Sequence, residues 1–146
     1  MLDDLPLGEM FACGSFRLSR EEIVDFATRY DPQPWHLSDE LAADTVFRTL
    51  CASGVQTQAI SVGLMVRAVA DVHVIAGGSL NQATFFAPVR PDADYRVSAV
   101  WTEIRPSRTK PDRGAATIDV AARDRDGAVV MTCGVTYIVG RRAPGG

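Results

Sequence analysis

Asp31 and His36 stand five residues apart in the stretch Tyr30-Asp31-Pro32-Gln33-Pro34-Trp35-His36-Leu37. A carboxylate and an imidazole at this spacing can act together as an acid and a base. Two prolines stiffen the backbone that carries them. Each fixes its own φ and pushes the residue before it, Asp31 or Gln33, toward an extended conformation. A helix would not hold such a segment, and a floppy loop would not need two prolines. The alternative is a polar turn that ends a helix, and spacing alone does not separate the two readings. A second marked stretch, Cys51-Ala52-Ser53-Gly54, follows shortly.

The elements around these residues can be read from pattern. Phe11 to Leu18 predicts a first strand. Ser19 and Glu22 fit a capping box, and Leu18 can staple onto Ile23 across it. Ile23, Phe26, Ala27 and Tyr30 then recur at helical spacing as one apolar face, and Asp31-Pro32 ends the helix. Asp31 is therefore delivered at a helix C-terminus, where the dipole favours cations, a small mismatch that points toward function. Ser38 can cap a short second helix, Asp39 to Asp44. Ala52 to Ala70 is the longest apolar run, with Arg67 as its single charge. Gln56, Thr57, Gln58, Ser61 and Arg67 dilute it too much for a membrane span. It reads instead as a helix apolar on most sides, buried and wrapped. Gln82 to Phe86, Tyr95 to Trp101, Thr117 to Arg123 and Val129 to Val139 read as strands, with Asp126-Gly127 as a hairpin turn. The tail from Arg141 to Gly146 reads as a frayed end.

This order is the α+β solution: an antiparallel sheet with helices on one face. A single sheet would cover only one side of so apolar a helix, so dimerisation is expected to complete its burial. At 146 residues the chain is expected to be one domain, 1–146, with a core that needs no staples. A net charge of −3 without a basic stripe argues against a nucleic-acid partner. Cys13, Cys51 and Cys133 are odd in number and lack metal spacing. With an acidic start, Met1-Leu2-Asp3-Asp4, in place of a basic leader, they read as reduced, buried thiols in the cytoplasm. No zinc motif is present, so neither a metal nor another cofactor is expected.

The segment Asp31-Pro32-Gln33-Pro34-Trp35-His36-Leu37-Ser38, then Phe47, then Ala52-Ser53-Gly54, resembles the signature of the MaoC-like dehydratases. These are a hot-dog-fold family that includes the (R)-specific enoyl-CoA hydratases. Phe85-Phe86-Ala87-Pro88-Val89-Arg90-Pro91 looks like the family's apolar strand and its turn, and Ile104 to Pro111 like its basic Ser/Lys-Pro stretch. The match covers essentially the whole chain. It departs from the family pattern at Gln33, which replaces the usual Asn, and at Ser38, which replaces a common Asp. Ser53 stands where hydratases commonly place His. These departures bear on substrate identity more than on fold.

The resemblance implies a hot-dog fold, an antiparallel sheet wrapped around a long central helix. It implies hydration of a 2-enoyl-CoA to the (R)-3-hydroxyacyl-CoA, or the reverse. Asp31 would be the principal acid/base, and His36 its partner in orienting and activating one water. If Gly54 opens the buried helix, its backbone N–H is one of the unpaired amides at a positive dipole end, suited to the thioester oxyanion. The alternative for Gly54 is a plain helix-cap glycine. Gln33, Trp35, Ser53 and Phe47 are the candidate substrate contacts. Simpler roles stand beside them: a turn hydrogen bond for Gln33, a cap for Ser53, and core or tunnel wall for Trp35 and Tyr30. Phe47, Met65, Phe85 and Phe86 are candidate tunnel residues. His73 reads as structural or exposed. Arg105, Arg108, Lys110 and Arg113 could meet CoA phosphates or mark a solvated hairpin end. The expected partners are an acyl-CoA (enoyl thioester) substrate and a second copy, as a homodimer or dimer of dimers, with neither nucleic acid nor membrane. The competing functions are an acyl-CoA thioesterase, disfavoured because Val55 to Ala70 contains no Asp or Glu, and a non-catalytic acyl-thioester binder. Fold alone would not choose among them.

Overall fold

The computed structural model describes residues 1–142. Strand β1 (Met10–Phe16) leads into helix α1 (Arg20–Tyr30), which is followed by a single 3-10 turn at Pro34–His36. A short helix α2 (Asp39–Ala42) and the long helix α3 (Gly54–Ala68) come next. Four strands complete the chain: β2 (Val74–Phe85), β3 (Tyr95–Pro106), β4 (Arg113–Arg123) and β5 (Val129–Gly140). The sheet order is β1-β3-β4-β5-β2, with every neighbouring pair antiparallel. This is the expected α+β hot-dog architecture, with α3 packed across the sheet.

Local chemistry sets the helix starts. Ser19 accepts from the Glu22 backbone N–H while the Glu22 carboxylate accepts from the Ser19 N–H, so the capping box at α1 is complete. Ser38 and Ser53 cap α2 and α3 through their hydroxyls. Alternate residues of the strands, Val97, Ala99 and Trp101 on β3 and Ala116, Ile118 and Val120 on β4, point into one core. Met65, Val69 and Ile23 meet them there. On β1 a bulge at Gly14 (φ +126°) lets Leu64 of α3 approach so closely that a Cβ would lie 3.3 Å from its Cδ2.

Several expectations need correction. α2 ends at Ala42, two residues short of Asp44. β2 begins at Val74, so Gly77-Gly78 lies within a strand whose pairing with β5 is interrupted by bulges. The strand persists because β5 supplies a hydrogen-bonding partner that no local pattern reveals. α3 is not buried on most sides within one chain. Gln56, Thr57, Ser61 and Met65 are covered, whereas Val55 and Val66 are exposed. The apolar face of α1 is buried only at Ile23 and Ala27, and Tyr30 lies out on the surface rather than in core or tunnel. Met65 is fully buried and is not part of the cavity lining. Cys13 is half-buried, unlike Cys51 and Cys133, and all three thiols are free. The start of the tail is held: Arg141 binds Asp3 at 2.7 Å and Arg142 binds Asp4 at 3.0 Å. The rest of the expected frayed end, 143–146, lies outside the described residues. Among the described residues, no helix is long and apolar enough to cross a membrane.

Candidate active site

Asp31 caps the C-terminus of α1, its N–H bonded to the Ala27 carbonyl, and turns out of the helix at φ −156°. The prolines meet the expectation at Gln33 but not at Asp31, whose ψ of 71° lies outside the extended region because its N–H still closes the last turn of α1. Gln33 is extended, and Pro34 opens the 3-10 turn that brings His36 back toward Asp31. The result is Asp31 Oδ2 at 3.5 Å from His36 Nε2. The Asp31 side chain is 18% exposed and the imidazole 7%, so the pair sits at a boundary between core and cavity.

Both oxygens of the carboxylate are pinned. Ser53 Oγ donates to Oδ2 at 2.7 Å, and Gln33 Nε2 donates to Oδ1 at 2.8 Å. Burial pushes the Asp31 pKa up, but these two hydrogen bonds and the nearby His36 together outweigh it and hold the carboxyl below its ordinary value. The dipole mismatch at the end of α1 finds its counterweight here. Ser53 is the cap of α3, accepting from the Val55 N–H at 3.2 Å, so Asp31 is tied to the positive end of the longer helix.

His36 is oriented from behind. Its Nδ1 lies 2.7 Å from the Cys51 carbonyl oxygen, which can only accept, so Nδ1 carries the proton. In the neutral ring Nε2 is then a bare acceptor facing Asp31. Two acceptors 3.5 Å apart leave no room for a water in line between them. A water on the cavity side, however, can donate one proton to each and turn its lone pairs outward. That arrangement presents a nucleophile.

These groups open onto a cavity of about 440 Å³. Asp31, Gln33, Trp35, His36, Phe47 and Gly54 all line it, and Phe85 and Phe86 form part of its wall. The Trp35 ring packs on Phe47 (centroids 5.3 Å apart) and meets His36 edge-on at 5.8 Å. Ser53 is fully buried behind the lining and reaches the site through Asp31. Gly54 is the first residue of α3, and its N–H makes no hydrogen bond to another described residue. A Cβ there would lie 2.6 Å from the Phe85 ring, so the glycine also makes room for an aromatic side chain. His73 is exposed at the far end of β2, and the basic cluster of Arg105, Arg108, Lys110 and Arg113 surrounds the β3–β4 connection, outside this cavity.

Sequence reasoning did not find the Cys51 carbonyl, because a backbone acceptor carries no residue signature. Nor did it find Val130 and Met131 on the cavity wall, which arrive from β5 only when the sheet closes.

Residues 9–123 match the MaoC like domain, and the chain belongs to that family. Uncharacterized protein YdeM from Bacillus subtilis (strain 168) is 34% identical over 110 residues, 75% of this chain and 78% of YdeM. A MaoC-like dehydratase from Rhodospirillum rubrum is 31% identical and superposes with a TM-score of 0.84, covering 97% of both chains. The (R)-hydratase from A. caviae involved in PHA biosynthesis shares the fold, with a TM-score of 0.74 at 21% identity, covering 92% of this chain and 96% of its own.

Proposed function

We propose that this protein is an (R)-specific 2-enoyl-CoA hydratase, equally a 3-hydroxyacyl-CoA dehydratase in reverse. The carrying observation is the pinned Asp31 carboxylate 3.5 Å from Nε2 of His36, at the wall of an apolar cavity. Membership of the MaoC-like family supports hydratase or dehydratase chemistry. In the forward direction Asp31 takes a proton from the water as its oxygen adds to C3 of the enoyl thioester. The charge that develops on the thioester oxygen is met by the Gly54 N–H. The enolate then collapses as C2 takes a proton from the acid so formed, and both halves of the water end on the product. His36 orients the water through Nε2. Trp35 and Phe47 wall the acyl group, Gln33 sets the carboxylate plane beside it, and Ser53 contributes through Asp31.

The same reading includes a homodimer in the cytoplasm. β2 is an edge strand with one side unpaired, and Leu80 on it is 69% exposed. Such an edge invites pairing with a second copy. Free thiols at Cys13, Cys51 and Cys133 support a reducing compartment.

The test is loss of enoyl-thioester absorbance with crotonyl-CoA and a longer 2-enoyl-CoA, comparing wild type with Asp31→Asn and His36→Ala. Turnover that collapses in both folded variants is expected. Turnover that survives loss of Asp31 would sink the mechanism, and acyl-CoA binding without turnover on either substrate would favour a binding protein.

A further inference from the structure

Arg90 lies in the connection between β2 and β3, outside the cavity lining, and is half-buried. Its guanidinium is spent on one short loop. Nη1 donates to the Thr49 carbonyl at 2.8 Å, to Thr49 Oγ1 at 3.0 Å and to the Leu50 carbonyl at 3.4 Å, while Nη2 donates to the Phe47 carbonyl at 2.8 Å. That loop is irregular, with Arg48 in the left-handed region at φ +65°. Three carbonyls converging on one point need a donor with several N–H groups in a fixed plane, which is what a guanidinium offers and an ammonium does not.

The loop leads directly into the site. Cys51, the next residue, donates its N–H to the Trp35 carbonyl at 3.0 Å and accepts the His36 Nδ1–H at 2.7 Å. Ala52 N–H is in turn bonded to the carbonyl of Val89, the neighbour of Arg90. The Phe47 ring, on the residue whose carbonyl Nη2 holds, packs on Trp35 at the cavity wall.

We propose that Arg90 is a positioning residue for the acid–base pair. It fixes the Phe47–Leu50 carbonyls so that the Cys51 carbonyl stays on His36 Nδ1 and selects the imidazole tautomer. The proposal rests on reading Asp31 and His36 as the pair that activates water. When the guanidinium is removed, the loop carbonyls lose their shared donor and the Cys51 carbonyl drifts from the ring. The imidazole then takes up the other tautomer, with a proton on Nε2. That N–H donates to Asp31 Oδ2 and occupies the lone pair the water needs, so turnover falls while substrate still binds.

The experiment uses full-length protein labelled with ¹⁵N-histidine, in wild type, Arg90→Ala and Arg90→Lys. There are two histidines, and a His73→Gln background isolates the His36 ring nitrogens. The expected wild-type spectrum has protonated Nδ1 and bare Nε2 in the neutral ring, and Arg90→Ala gives averaged or reversed shifts. With an enoyl-CoA substrate, kcat falls by roughly 10–100-fold and KM by much less, in line with a small misplacement of the reacting groups. Methylguanidinium restores part of kcat in Arg90→Ala, and Arg90→Lys is intermediate. Unchanged His36 shifts in a folded Arg90→Ala overturn the proposal. Should that variant not fold, unchanged shifts and kcat in Arg90→Lys do the same. A tautomer that follows Arg90 in a protein without hydratase turnover upholds the positioning role and rejects the reaction instead.

Discussion

The hydroxyl of Ser53 donates to Asp31 Oδ2 at 2.7 Å while accepting from the Val55 N–H, so one side chain both caps α3 and pins the candidate base. Ser53 is also a departure from the family pattern beside the helix glycine. Replacing Ser53 by Ala removes both bonds. A hydrogen bond to a charged group is worth about 1.5–3 kcal/mol, and a lost cap costs about 1 kcal/mol. The expected result is a loss of kcat/KM of roughly tenfold or more, with the acidic limb of its pH profile moved to higher pH. Without Ser53 the carboxyl is easier to protonate. An acidic limb that stays in place, measured on folded Ser53→Ala, would contradict the coupling.

The lowered pKa of Asp31 has a consequence for stability. Its folded value lies below the unfolded one, so the group contributes stability above the unfolded pKa of about 4. That contribution is lost as pH falls through the folded value. Asp3, Asp39, Asp94 and Asp112 are also lowered, so the informative quantity is a difference between variants. The stability of wild type minus Asp31→Asn, from urea unfolding, is expected to be flat between pH 6 and 8 and to shrink below about pH 4. A difference that grows on acidification would reverse the sign and refute it.

Much of this site was legible in the chain because its information is local. Prolines at 32 and 34 and the capping serines act on their immediate neighbours, so the turn between Asp31 and His36 and the starts of α1, α2 and α3 follow from residue chemistry. What stayed hidden depends on closure of the sheet. The sequence pattern marks a strand only from Gln82 to Phe86, whereas β2 begins at Val74 because β5 pairs with it across Gly77. Val55 and Val66 read as core until the sheet is seen to cover only the other side of α3. The Cys51 carbonyl and the fork of Arg90 hold the imidazole through backbone atoms, which every residue possesses and no sequence marks.

Gly54 has two possible reasons to be glycine, and they separate experimentally. An alanine Cβ would fall 2.6–2.9 Å from the Phe85 ring atoms. Gly54→Ala is therefore expected to destabilise by about 1–3 kcal/mol, the usual cost of overpacking. In a Phe85→Ala background that cost should largely vanish, a coupling that a double-mutant cycle of chemical denaturation reads directly. If stability is restored in the double variant but its turnover falls below that of Phe85→Ala alone, close approach of the thioester to the backbone is the second reason.

Phe47 lines the cavity. Its ring packs on Trp35 at the wall, and its backbone carbonyl is held by Arg90. Phe47→Ala removes a ring without touching Asp31 or His36, whose hydrogen bonds lie elsewhere. The expectation is a shift in kcat/KM toward longer or branched 2-enoyl-CoA, by roughly 10-fold relative to crotonyl-CoA, since each methylene accommodated contributes about 1 kcal/mol. Equal loss on both substrates would mean that the ring supports the loop rather than selects the substrate.

Strand β2 lies at an open edge of the sheet. Val74, Ile75, Leu80 and Phe85 are all exposed along it, and its free side offers unpaired backbone groups to a second chain. An uncovered strand of this length and hydrophobicity is an aggregation liability in a monomer. A two-fold antiparallel pairing about the middle of β2 would also bring the start of one strand, Val74 and Ile75, beside the end of the other, Phe85, at the cavity wall. Leu80→Lys places two like charges near the centre of that pairing and is expected to convert a dimer to monomer in sedimentation velocity. Turnover should fall with the loss of assembly and recover as protein concentration is raised. A wild type that sediments as a monomer at micromolar concentration would reject the pairing, and a Leu80→Lys dimer would place the interface elsewhere.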